Sequence, residues 1–572
     1  MKRLLMLLII GIAITSLGAQ LASSFRNQST GGVLDDELDM MFNGVDLAYI
    51  QGSHIYTNLS NFEGNDKLFA NQDTNRFLLA MAAAYPWNPE MKYALVYKYW
   101  DNKTPNSYIF NAVNYSLYGE GDFDQLWQSY DDTNGNGLYD RLSSDRLILS
   151  KYSTSSGESF GFNNTWKRKN NIMGLLVSLN QNESGDNYSH GLLNTVQISS
   201  NTPTYDLNQL VQTFDENDPF VIIDSVRVHY AGIFDKKIKD KNLHAKLAYG
   251  IVYGQREFLI EPSFNLIESE SQNSERGLHE TITGVTKTDE EYRNKQTDDG
   301  FEGKLAVTYR KHLTRTINPK NGAFMQIGIY GGWNSLDTKS SVIRDLLDDS
   351  TGNLNTVISS TERNSTLSDG TTAGLIWGGM MKVQGSLGKT ASWGIGMDYQ
   401  VSAQTFDYDY STRSFGVSET TTDDIFVSST TTNQSLLGKG KTETTVESLV
   451  IPTGLEYWFT RNQKWAFRCG SVFTQSNTTK QEQRTPTSST PFTTVSEDAD
   501  GNVSVDVSDN TYTSTVSTLK TKNSNSVMTY GFGFKANDNL QIDLMGVFET
   551  TNVDVINTTF FRNLRLSFSY HF

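Results

Sequence analysis

Residues 392–402, SWGIGMDYQVS, alternate without a break: Trp393, Ile395, Met397, Tyr399 and Val401 fall on one parity, and Gly394, Gly396, Asp398, Gln400 and Ser402 on the other. Only an extended strand places those two sets on opposite faces. The same period recurs at 243–253, where Leu247, Tyr249, Ile251 and Tyr253 oppose Lys246, Ala248 and Gly250, and at 323–333, where Met325, Ile327, Ile329 and Trp333 oppose Gln326, Gly328 and Gly332. Met528, Tyr530, Phe532 and Phe534 repeat it near the end of the chain, followed by Leu540, Ile542 and Leu544. About fifteen segments of roughly ten residues read this way, and Val45–Leu59 supplies one more.

The connectors are unequal. Short links such as PWNPE (86–90), KRKNN (167–171), GKTA (388–391), RNQK (461–464) and KAND (535–538) alternate with long polar stretches near 182–220, 269–300, 334–372, 405–445 and 477–524. The polar faces also carry glycine and charges of both signs, unlike the water-facing side of a soluble sandwich. Apolar faces turned to lipid and polar faces turned to a lumen account for all of this. The expected fold is therefore all-β: a transmembrane antiparallel up-and-down β-barrel of about sixteen strands (range fourteen to eighteen), with short periplasmic turns and long extracellular loops.

Composition sharpens this picture. Hydrophobic residues make up 37% of the 572, aromatics 12%, and 45 glycines stand against 10 prolines. A soluble chain of this size would carry more aliphatic residues for its cores. Lys2 and Arg3, an apolar run from Leu4 to about Ile14 and small residues at Ser16, Gly18 and Ala19 form the layout of a secretory signal peptide, so 1–19 is expected to be removed. Beyond it no run reaches the eighteen or so apolar residues of a membrane helix. One cysteine, Cys469, excludes an internal disulfide framework.

The chain ends in FFRNLRLSFSYHF, with Leu564, Leu566, Phe568, Tyr570 and Phe572 on one face. This ending resembles the C-terminal signature of Gram-negative outer-membrane barrels. The resemblance implies insertion by the barrel assembly machinery, outer-membrane lipid around the barrel, and a last strand that closes against the first. It leaves 20–44 as a periplasmic leader or a short plug helix, with LDDELDMMF (34–42) spaced as a short amphipathic helix, and 45–572 as the barrel.

Candidate chemistry is sparse. Inward positions Glu302, Lys304, Arg310, Lys382, Asp398, Glu456, Arg468, Lys535 and Asp543 are candidates for a lumen lining, with some neutralising one another. In DDTNGNGLYD, Asp132, Asn134, Asn136 and Asp140 take the first, third, fifth and ninth places of a calcium loop, but Ser143 stands where an EF-hand needs its bidentate Glu. That motif is either a structural Ca²⁺ site or an Asn-Gly turn that binds nothing. No cofactor is required, no nucleic-acid partner is expected, and no nucleophile elbow, P-loop or paired histidine ligands point to an enzyme. The expected function is a porin-like channel for passive diffusion of small solutes, inward glycines sparing volume for the path. The alternatives are a carrier of hydrophobic compounds resembling the fatty-acid transporter class with its N-terminal hatch, and a surface adhesin or structural barrel. A TonB-type receptor is disfavoured because the leader is short for such a plug domain.

Overall fold

The computed structural model describes residues 24–59, 73–105, 107–112, 115–131, 141–199, 221–280, 286–314, 322–351, 356–388, 390–422, 425–459, 464–508, 514–537, 539–549 and 565–572. The strands are β1 (His54–Leu59), β2 (Asp73–Tyr85), β3 (Asn88–Pro105), β4 (Ser107–Ala112), β5 (Tyr115–Asp131), β6 (Arg141–Arg168) and β7 (Asn171–Ser199). They continue as β8 (Val221–Tyr253), β9 (Arg256–Glu280), β10 (Thr286–His312), β11 (Phe324–Thr351), β12 (Thr356–Leu387), β13 (Ala391–Thr422) and β14 (Ile425–Trp458). The last are β15 (Trp465–Ser489), β16 (Phe492–Asp498), β17 (Val503–Ser508), β18 (Thr515–Lys535), β19 (Leu540–Glu549) and β20 (Arg565–His571).

All pairings are antiparallel, and the ring runs β1, β2, β3, then β6 through β15, then β18, β19 and β20. It closes through β20 on β1, with His54 opposite His571 and Leu59 opposite Leu566. Ser53 and Phe572 exchange both backbone hydrogen bonds at 3.1 Å, so the terminal residue is fastened to the entry of the first strand. Closure satisfies every strand edge where lipid offers no partner.

Two expectations are corrected. The sheet holds twenty strands, sixteen in the closed ring and four in two side hairpins, so it is not the plain sixteen-strand up-and-down meander expected. The chain leaves the ring after β3 to make the β4–β5 hairpin, whose second strand pairs with the far part of β6, and leaves it again after β15 to make β16–β17, where β16 pairs with the far part of β14. The long polar stretches are also largely strand: β13 has 32 residues and β14 has 34. At about 3.3 Å per residue such a strand is roughly 110 Å long, several times what a tilted membrane span of about ten residues needs. Hydrophobic periodicity shows little of these extensions because most of their positions are polar on both faces, Phe406, Tyr408 and Tyr410 on β13 being an aromatic exception, yet their Thr residues suit a pleated backbone.

Three zones follow. A lipid-facing belt carries Phe77, Met81, Leu247, Ile251, Ile327, Ile329, Trp377 and Ile395, all exposed. Short turns such as the one at Gly254 (φ +60°) close its periplasmic end. On the other side the polar strand extensions form a tall crown above the membrane. With the lipid belt and the closed ring, this makes the chain a bacterial outer-membrane β-barrel. Of the C-terminal positions, Tyr570 and Phe572 are exposed on the lipid side and Ser567 is buried inside; Leu564 lies outside the described residues, as do the signal segment and Asp132, Asn134, Asn136 and Asp140.

A paired crown makes a measurable difference from a set of loops. Backbone amides of 405–420 and 430–445 are expected to be protected in hydrogen exchange for hours in the detergent-solubilised protein. Exchange within seconds would mean that these segments are loops after all.

Candidate functional site

The lumen of the ring is occupied by the segment 24–50. It folds as α1 (Phe25–Ser29), a reversal at Gly31 and Gly32 (φ +64° and +88°), α2 (Glu37–Met41) and a 3-10 turn at Asp46–Tyr49. Five-residue helices do not persist alone. Here Ser24 caps α1 through Asn27 N at 3.0 Å, and Asp36 and Asp39 form a capping box on α2, with Leu38 N donating to Asp36 and Asp36 N to Asp39, each at 2.9 Å. Ser24 N and Oγ donate to the Asp39 carboxylate at 3.0 and 2.6 Å, tying the two helices together. Burial, with Asp36 and Asp35 close by, pushes the Asp39 carboxyl well above the usual range, and these donors partly offset that.

One side of this plug is apolar. Leu38, Met40, Met41, Leu47 and Ile50 are buried against inward residues of the wall: Tyr56 on β1, Leu78, Ala80 and Ala82 on β2, Ala94 and Val96 on β3, and Leu176 on β7. Lys92 adds polar anchorage, its ammonium donating to the carbonyls of Ala48 and Ile50.

The other side is latched by ions. Arg26 meets Glu456 through Nε and Nη2 at 3.0 and 2.9 Å; Arg468 Nε donates to the same carboxylate at 2.8 Å and its Nη1 to Asp543 at 2.6 Å. All four side chains are almost wholly buried. A second latch joins Asp46 to Arg310 at 2.7 and 3.2 Å; Arg310 also donates to Glu257 at 3.2 Å, and Tyr49 OH donates to Glu257 at 3.0 Å. Burial raises the Asp46 carboxyl above its ordinary range, with the Arg310 guanidinium pulling the other way. A third contact holds Asp35 between Lys382 at 2.7 Å and Asn27 at 2.6 Å.

Inward glycines make the seat. A Cβ at Gly394 would meet Val33 Cβ at 3.0 Å and one at Gly531 would meet Ser29 Cβ at 2.8 Å, while at Gly454 and Gly470 it would collide with the backbone of Thr30 and Gly31. This overturns the expectation of a porin-like channel for passive diffusion. The volume that glycine spares is filled by the chain's own N-terminal segment, not by a water path.

Arg310, Lys382, Glu456, Arg468 and Asp543 thus come together as the wall half of the latches. Asp398 instead accepts from Tyr330 OH at 2.9 Å, Lys304 lies over the Tyr330 ring at 4.0 Å and Lys535 over the Trp458 ring at 4.5 Å, while Glu302 stands between Asn265 and Asn334 in register. Reading the sequence missed the plug half, Arg26, Asp35 and Asp46, and with it Glu257 and Tyr49. The available signal was the charge of a leader that needed none. Among the described residues no group of His, Cys, Asp and Glu is placed to hold a metal ion.

No family model matches the chain, and no curated protein matches it. Among solved structures it is similar to the ferric enterobactin receptor of Pseudomonas aeruginosa, at 8% identity over 91% of this chain and 80% of that one, with a TM-score of 0.24. It is also similar to the toluene transporter of Ralstonia pickettii (10% identity, 70% of this chain and 98% of that one, TM-score 0.23). A third is the alcaligin outer-membrane receptor of Bordetella pertussis (7% identity, 91% and 76%, TM-score 0.21).

Removing one partner from a buried ion pair leaves an uncompensated charge and costs about 3–5 kcal/mol. Arg26→Met is therefore expected to loosen the plug without unfolding the ring. Limited proteolysis within 24–50 should become rapid while the heat-modifiable gel shift of the barrel is kept; unchanged protease resistance would show that the latch does not hold the segment.

Proposed function

We propose that this outer-membrane β-barrel is a transporter for small hydrophobic compounds, with residues 24–50 acting as a hatch across its lumen. The observation that carries the reading is the two-sided seating of that segment: ionic and glycine-fitted against β9, β10, β12 to β15 and β18, but apolar against β1, β2, β3 and β7. The ion pairs of the lumen are concentrated on one side, while the other carries Lys92 and the neutral polar residues Ser159, Asn163, Thr165, Ser178 and Asn180. Within that side, Leu78, Ala80, Ala82, Ala94 and Val96 form a narrow apolar strip on β2 and β3, bordered by Lys92 and by the polar inward residues of β6.

A compound entering from the crown follows this strip to the hatch. There its apolar surface competes for the contacts that Leu38, Met41 and Leu47 make with the wall. A few buried aliphatic side chains at about 1.5–3 kcal/mol each set the scale of that competition. Releasing the apolar side while the ion pairs hold the opposite side opens a gap beside β2 and β3 without expelling the plug. A hydrophilic solute has no such purchase on the contact.

Two measurements test this. In planar bilayers the full-length protein is expected to be silent to ions, and the variant lacking 24–50 to give ohmic conductance. In cells, Ala94→Asp with Val96→Asp should cut uptake of a radiolabelled apolar solute at least tenfold. Steady conductance by the full-length protein, or uptake of a hydrophilic solute equal to that of the apolar one, would sink the reading.

A further inference from the structure

The crown ends in an uncovered sheet edge. β16 runs up beside the far part of β14, the chain turns at Gly501 (φ +78°), and β17 runs back down. Among the described residues β17 pairs with β16 alone. β18 rises only to Thr515, opposite Arg484 of β15 and so level with Gly440 of β14, whereas β16 lies beside Ser428 to Asn433. The described wall next to β17 is therefore several residues lower. All six residues of β17, VSVDVS, are exposed, with Val503, Val505 and Val507 at 60%, 61% and 55%.

Those valines end an apolar band on the outer face. Register places Val417 of β13, Thr431 of β14, Val495 of β16 and Val505 of β17 in one row, and Phe415, Asn433, Thr493 and Val507 in the next. By parity this is the face that carries Trp393 to Val401 lower on β13. The two apolar regions are separate, because the outward positions between them include Thr405, Asp407, Asp409, Ser411 and Arg413. Two carboxylates and a guanidinium in that interval belong in water, so hydrocarbon does not cover the upper band. Natural sheets guard an open edge with charge, proline or a covering element. β17 has no charge on its outward face, and Asp506 falls on the other parity.

The order of its residues decides what fits this edge. Paired antiparallel with itself about Val505, the strand sets Val503 against the partner's Val507 and Val505 against the partner's Val505. Ser504, a hydroxyl donor, then faces the carboxylate of the partner's Asp506. A parallel pairing in register would oppose two Asp506 side chains instead, which is unfavourable. The two-fold axis of the antiparallel pair is perpendicular to the sheet. In a wall that stands up from a membrane this axis lies along the membrane plane and turns the second barrel upside down, so the partner stands in a facing membrane.

We propose that β17 pairs with β17 of a second copy of this chain, joining two outer membranes through the tips of their crowns. One such contact is small beside the roughly 1,200–2,000 Å² of a stable interface, so it does not hold a dimer in solution. Many copies facing one another across two membranes act together.

The test uses outer-membrane vesicles shed by expressing cells, whose crowns face outward, labelled in two colours and mixed. Wild-type vesicles are expected to cluster with one another roughly tenfold faster than with vesicles that lack the protein, by light scattering and two-colour coincidence. Residue 505 meets its own copy, so Val505→Lys and Val505→Glu should each abolish clustering, because like charges then face each other. Mixing the Val505→Lys vesicles with the Val505→Glu vesicles should restore it between the two colours. Wild-type vesicles that stay dispersed, or that bind protein-free vesicles as readily as each other, overturn the proposal. So does a mixture of the two variants that stays dispersed while both keep the heat-modifiable barrel. The wild-type comparison stands even if a variant fails to assemble, and solute uptake is read separately, so failure of this contact and failure of the hatch are distinguishable.

Discussion

The constraint on which the rest of the structure depends is that a strand in hydrocarbon has no one to pair with except another strand. Each backbone N–H or C=O left unpaired there costs several kcal/mol, so the sheet must close. Closure rests on the ladder of β1 with β20, which among the described residues runs from His54 to Leu59 against Leu566 to His571. Phe572 is bonded to Ser53, and the plug ends a few residues before β1, so the seam is where the hatch, the first strand and the last strand meet. Tyr56 shows the coupling: it is a β1 residue, buried in the apolar cluster with the plug, and its hydroxyl receives Phe25 N from α1 at 3.3 Å.

Closing a ring this wide creates a second problem, since its inner face must end in water or in protein. Here part of it ends in protein, and the buried charges follow from that choice. Glu456, Arg468, Asp543 and Arg310 would be ordinary solvated lining in an open pore; under a plug they must find partners or neutralise. Arg26 and Asp46 supply the missing charges from the plug, so each cluster is complete only when the segment is seated. An ion pair of this kind adds little net stability over an apolar contact but fixes position, because no other placement pairs the charges. The apolar contacts themselves have no such specificity, and on that side position is set by Lys92 and Asn163, which donate to the carbonyls of Ala48, Ile50, Met41 and Gly44.

The belt and its orientation were legible in the sequence because lipid on one side and lumen on the other impose a strict period of two, as at Trp393 to Ser402. The inward charges were legible for the same reason, since parity alone puts Arg310, Glu456 and Arg468 on the lumen side. What those charges face was not legible, because the pairing of Arg26 with Glu456 spans 430 positions and leaves no local trace. The crown was hidden by a different cause. Thr, Ser and Asn on both faces show little hydrophobic period beyond the short run Phe406, Tyr408 and Tyr410, and a strand in water needs none. Strand number suffered with it, since the β4–β5 and β16–β17 hairpins belong to that same polar texture.

Glycine is the residue whose meaning changes most between sequence and structure. Gly394, Gly454, Gly470 and Gly531 are inward and bare on parity alone, which reads as room for solute. Their spacing on neighbouring strands instead matches a backbone: Ser29, Thr30, Gly31 and Val33 pass across them in order, close enough that a methyl group would strike the segment. A wall meant only to be wide would gain as much from alanine or serine, which cost a strand less entropy. A wall meant to let another chain lie flat against it has no alternative to glycine. The run of bare positions is thus evidence of contact rather than of emptiness, and it places the hatch on the side of the lumen where its charges are also met.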